Sequence, residues 1–173
     1  MSMRRMCGGL VLFVSGALTP LLVAQQHTWR SATEAELSQA LPARAPVEKE
    51  RIETEMRTAS GIVDEQGKVI AGVVLITAGY SADGKYSHYL IMAAPMRLAG
   101  LTLAPGKYVF GWKRVPEGLD VHLYDAATGQ EKGSAIARLL PAGTRVEAFR
   151  IGPPGEHATM QIGRFGIPYT LLP

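Results

Sequence analysis

The chain has 173 residues, 47% of them hydrophobic and 19% charged, with one cysteine and a net charge of +3. That composition fits one globular domain and excludes wholesale disorder, a collagen-like repeat and a disulfide-dense scaffold. The charge and the cysteine suggest an anionic partner and a redox setting, but both trace largely to the first segment.

Residues 1–26 open with a positive pair, Arg4 and Arg5, then run apolar and small to Ala24 before Gln25 and Gln26. This is the three-part layout of a secretory signal peptide, and Ser15, Gly16, Thr19 and Pro20 interrupt the run in a way that disfavours a retained membrane anchor. Cys7 precedes the apolar stretch, whereas a lipid-modified cysteine follows it. Cleavage near Gln26 removes two arginines and no acid, leaving 16 basic and 15 acidic side chains, a net of +1. The mature chain then has no cysteine, so disulfides, thiolate metal sites and cysteine nucleophiles are excluded. It has no basic excess to support nucleic-acid binding, and no stable membrane span is expected after cleavage. The expected location is exported: periplasmic, cell-surface or secreted.

Residues 27–50 read as a leader. Ser31 and Glu34 have capping-box spacing and predict a short helix over 32–41, ended by Pro42 and Pro46, with ALPARAPV as an extended linker. Residues 51–63 (RIETEMRTASGIV) fit both a helical stripe and period-2 alternation; the strict alternation and two threonines favour a strand. From there the pattern is β throughout residues 51–173. A DEQG turn at 64–67 leads into 68–79, apolar enough for a strand covered on both faces. A turn at 81–84 leads into a strand over 86–93. Further strands are expected over 98–103, 107–113, 119–125, 135–140, 144–151 and 158–165, with a tail at 167–172. Turn signals at intervals of about 8–15 residues predict an all-β fold, an antiparallel β-sandwich or small barrel of about 7–9 short strands.

Residues 61–74 (GIVDEQGKVIAGVV) resemble the opening hairpin of carboxypeptidase regulatory-like domains, which are transthyretin-like or Ig-like β-sandwiches. Asp83-Gly84-Lys85-Tyr86 and the stretch from Leu103 to Tyr108 resemble that family's later turns. Those turns lie about ten residues apart in the family, but 22 residues separate Asp83 from Pro105 here. The resemblance covers about a quarter of the chain and implies a β-sandwich and a non-catalytic module.

No catalytic constellation is legible. His27, His88, His122 and His157 lack partners at helical ligand spacing, the acidic turns lack the calcium-loop pattern, and no serine sits in a nucleophile motif. Ser87 and His88 are adjacent, which on a strand turns them to opposite faces and prevents pairing. No metal and no cofactor is expected. The one positive hint is aromatic. Tyr108, Phe110 and Trp112 share a strand face, as do His122 and Tyr124 on the next strand. Together they make a candidate stacking platform for sugar or peptide, although aromatic rows more often fill cores.

The sequence thus predicts an exported, non-catalytic binding or interaction module of the bacterial-type envelope or secretome, whose partner is an unidentified protein, peptide or glycan. Two alternatives stand beside it. One is a small secreted hydrolase or metal-dependent oxygenase acting on polysaccharide, using acids with His88 and His122, or His27 as a mature N-terminus. The other is a structural accessory protein of the envelope.

Overall fold

The computed structural model describes residues 28–77 and 85–173. The expected signal peptide, Cys7, His27 and the turn at 81–84 lie outside the described residues. In chain order the elements are β1 (Arg30–Ser31), α1 (Glu34–Ala40), β2 (Arg44–Val47), β3 (Glu50–Val63), β4 (Val69–Ile76), β5 (His88–Met92), β6 (Met96–Leu98), β7 (Leu101–Leu103), β8 (Gly106–Val115), β9 (Gly118–Asp125), β10 (Glu131–Leu139), β11 (Glu147–Ile151), β12 (Thr159–Gly163) and β13 (Phe165–Leu171).

The fold is all-β and antiparallel, a nearly closed, barrel-like sheet. Strands β3, β4, β5, β8, β9, β10, β13, β12 and β11 succeed one another round the ring, and β11 returns against β3. β10 turns the corner. Residues 131–137 pair with β9, while Arg138 and Leu139 pair with Gly166 and Phe165 of β13. A strand that changes partners in this way joins two sheet segments around one interior.

The interior holds Ile62, Val73, Leu90, Phe110, Leu123, Ile151 and Ile167 among other buried side chains. A second apolar cluster lies on the outer face. Leu37 and Leu41 from α1 and the residues after it, with Ala45 and Val47 from β2, cover Val74, Ile76, Tyr89 and Val109. This outer cover explains the near-continuous apolar run of β4: Val73 points into the barrel, while Val74 and Ile76 meet the outer layer. Gly61 makes the contact possible, because a Cβ there would lie 2.5 Å from the Ala71 carbonyl oxygen and 2.8 Å from Leu37 Cδ2.

Several expectations are corrected. The strands number thirteen among the described residues, more than 7–9, because pieces of two to four residues carry no readable periodicity. The stretch 98–103 is not one strand. It breaks at Ala99 (φ 49°), and β6 and β7 form a hairpin around it. The supposed linker contains β2, which pairs with β3 from Val47–Glu50 to Arg44–Glu53. Pro46 is tolerated there because β2 is an edge strand. The helix is capped by Thr33, not Ser31: Thr33 Oγ1 accepts from the Glu36 amide (3.3 Å), and the Thr33 amide donates to Glu36 Oε2 (2.8 Å). The ambiguous 51–63 is a strand, and the 64–67 turn has Gly67 at φ 79° with Asp64 accepting from the Gln66 and Lys68 amides.

Candidate functional site

The two expected aromatic sets stand on opposite faces of one sheet. The β8–β9 register pairs Phe110 with Leu123 and Trp112 with Val121, whereas His122 faces Gly111 and Tyr124 faces Val109. Directly paired residues share a face. Tyr108, Phe110 and Trp112 therefore point inward, and His122 and Tyr124 outward. Phe110 is 1% exposed and Tyr108 6%; Trp112 is half-buried against the same core. The Tyr108 hydroxyl donates to the Ala104 carbonyl at 2.7 Å.

The inward row surrounds His88. Its ring stacks on Phe110 (centroids 5.3 Å, 14° between planes) and sits 5.3 Å from Trp112 and 5.1 Å from Phe149 of β11. Burial in this apolar box pulls the His88 pKa down to about 4, so the ring is neutral at ordinary pH. Ser87 and His88 do pair, contrary to the strand argument: His88 Nδ1 lies 3.0 Å from Ser87 Oγ. The reason is that Ser87 precedes β5 and turns its side chain back. Its amide (2.8 Å) and its hydroxyl (3.2 Å) both donate to the Phe110 carbonyl. If that hydroxyl proton goes to the Phe110 carbonyl, the hydroxyl accepts from Nδ1–H. A nucleophilic pair needs the opposite polarity, in which the imidazole accepts from the serine.

The outward set is ionic. His122 Nδ1 lies 2.7 Å from Glu131 Oε1, and Nε2 lies 2.9 Å from Asp120 Oδ2. The hydrogen bond His122 donates to Glu131 is the largest influence and raises its pKa; burial opposes it, and the weaker hydrogen bond to Asp120 adds to the rise. The second oxygen of Asp120, Oδ1, is buried and has no hydrogen-bond partner among the described residues. Beside this pair, Tyr124 meets Tyr86 edge-on (5.3 Å, 72°), and Lys85 Nζ lies 4.9 Å from both ring centroids. His88 and His122 stand on opposite faces and do not share a site. No group of three or more His, Cys, Asp or Glu among the described residues is placed to hold a metal ion. No helix among them is long and apolar enough to cross a membrane.

The third feature is the seam between β3 and β11. β2 pairs with β3 over residues 50–53 and β1 pairs with it at 62–63, leaving a window at 55–60 on the β3 edge. That window is bulged. Glu55 pairs with Leu75 and Ser60 with Val73, so four β3 residues oppose Val74 alone. Across from it, β11 is paired among the described residues only to β12. Among the described residues, no ladder joins β3 to β11, and the Ile151 amide donates to Ser60 Oγ at 3.0 Å. Where the strands diverge, a groove of about 460 Å³ opens between Arg57–Gly61 on one side and Glu147–Arg150 on the other. Its size is that of ordinary ligand clefts.

No family model, curated protein or solved structure matches the chain.

Sequence reasoning named His88 but not its place in the aromatic row, and it missed Phe149 and the seam. Phe149 does show in the alternation of TRVEAFRI, where it is the one aromatic. His88 shows no such sign, because only the β5–β8 register, His88 opposite Phe110, places it in the aromatic row.

Proposed function

We propose that this chain is an exported, non-catalytic binding module whose partner-binding surface is the β3–β11 seam. The observation that carries the reading is the groove there, flanked by two sheet edges that no ladder joins among the described residues. The aromatic row offered as a stacking platform is largely spent on the core, with Phe110 and Tyr108 buried, so binding through edges is the version of the module reading that fits. Export is supported by the signal-like layout of residues 1–26 and by the near-neutral, cysteine-free remainder. The resemblance of residues 61–74 to carboxypeptidase regulatory-like domains accords with a non-catalytic role, and those residues span a hairpin with Gly67 in its turn.

Two measurements test it. N-terminal sequencing of the exported protein should find a chain beginning near His27. A photo-crosslinking side chain placed at exposed Ala148, beside the groove, should give discrete adducts in cells, and the same group at exposed Lys132 should not. An uncleaved chain retained in the cytoplasm defeats the export half. Equal crosslinking from both positions, or none from Ala148, defeats the seam half.

A further inference from the structure

The seam offers more than a cavity, because both of its walls are strand edges. The Gly152 amide donates to the Thr159 carbonyl of the neighbouring chain segment, while the Ile151 amide points the other way, to Ser60. Backbone groups alternate sides along a strand. The N–H and C=O of Phe149 therefore share the Ile151 side and project toward the groove, where no ladder joins β11 to β3 among the described residues. An edge with this geometry is a template for one more strand. The opposing wall is the bulged window of β3, whose 55–60 edge lies between the stretches taken by β2 and β1.

Charge selects among strands. Arg57 borders the groove from β3, with its side chain 83% exposed and 3.3 Å from Glu55. Arg150 borders it from β11, exposed, with no ion pair or side-chain hydrogen bond among the described residues. The groove's one acid, Glu147, is already held by Arg145 at 3.1 Å. The surplus is positive, and Arg150 is available to a carboxylate.

Resting on the seam reading above, we infer that the partner presents an extended peptide segment carrying an acidic side chain. It adds as a strand along the β11 edge, with its backbone on Phe149 and its carboxylate between Arg57 and Arg150. Main-chain hydrogen bonds supply affinity, and the arginine pair sets the sequence preference.

The test uses the mature protein and a labelled heptapeptide, acetylated and amidated at its ends, of alternating valine and threonine with a central aspartate. Fluorescence anisotropy should show saturable binding. Affinity should fall at least tenfold when lysine replaces the aspartate, and at least tenfold when alternate peptide amides are N-methylated. The double variant Arg57→Ser, Arg150→Ser should bind about tenfold more weakly at low salt, with the difference shrinking as salt rises; its circular dichroism should match the parent. Amide exchange at residues 147–151 should slow when the acidic peptide binds. Absence of saturable binding overturns the inference, and so does binding indifferent to N-methylation or to the two arginines. The crosslinking at Ala148 separates the two levels. Adducts there without peptide binding overturn the strand chemistry and leave the seam as the binding surface, whereas loss of the adducts removes the surface as well.

Discussion

On the inner face of the barrel, His88 of β5 lies flat on Phe110, with Trp112 and Phe149 closing its box. On the outer face, two strands along the same sheet, His122 of β9 is clamped between Asp120 and Glu131. The same imidazole is pushed toward neutrality by burial in one place and toward charge by carboxylates in the other. Face, not residue type, decides the chemistry, and face is set by register. The difference also explains why the aromatic residues of β8 and the His122–Tyr124 pair of β9 do not make one platform: the first set builds the inner core, while on the other face His122 sits in an ionic cluster and Tyr124 packs on the outer apolar cluster.

The largest expected effect tests this division by packing. Phe110→Ala removes a 1% exposed ring from the barrel interior and should lower unfolding free energy by about 3–5 kcal/mol. Tyr124→Ala removes a half-buried ring that packs edge-on against Tyr86 and on the outer apolar cluster, and should cost less, about 1–2 kcal/mol. Equilibrium urea unfolding of the two variants reads both numbers. Equal losses would mean that the outer patch carries as much of the fold as the core does.

How far this division was legible in the sequence depends on the range of the contact. The alternation in KYVFGWK and LDVHLYD shows which residues share a strand face. The link between the two strands was available too. Pro116 and Glu117 are the two residues between paired Val115 and Gly118, and that short loop fixes the register that sets Trp112 against Val121 and Gly111 against His122. Counting back from the loop would have put the two aromatic sets on opposite faces. The hairpin at residues 61–74 was equally local and equally readable. The seam was not. The hydrogen bond across it joins Ser60 to Ile151, 91 residues apart, and its bulge leaves no mark on the alternation of β3. Closure of the ring depends on the summed twist and tilt of all its strands, which no window of sequence contains.

The second effect is a pH dependence set by the inner histidine. His88 has a folded pKa of about 4 against about 6.5 unfolded, so the unfolded chain binds the extra proton between those values. Stability contributed by the neutral ring is therefore full above about pH 6.5 and is lost as pH falls toward 4, by about 3 kcal/mol over the whole window. Urea midpoints measured from pH 7 down to pH 4 should fall accordingly, and His88→Phe should flatten most of that slope. A slope unchanged in His88→Phe would show that the box does not hold the ring as neutral as its burial implies.

The smallest effect comes from the outer histidine and has the opposite sign. The folded pKa of His122 is raised, so the protonated ring contributes stability that is fully present below its unfolded value of about 6.5 and is lost as pH rises through the folded value. The pair is a surface one, with side-chain exposures of 32% for His122, 28% for Asp120 and 49% for Glu131. Such pairs contribute no more than about 1 kcal/mol, and salt screens them. His122→Gln should therefore lower stability slightly near pH 6, less near pH 8 and less at high salt. Proton NMR of the imidazole Cε1–H resonances gives the sharper reading: His122 should titrate above 6.5 and His88 only near 4. Removing Glu131 by Glu131→Gln should bring the His122 midpoint down more than Asp120→Asn does, because the Glu131 hydrogen bond is the larger cause of the shift. A His122 midpoint that ignores both substitutions would show that the carboxylates do not set its charge, and the contrast between the two faces would then rest on burial alone.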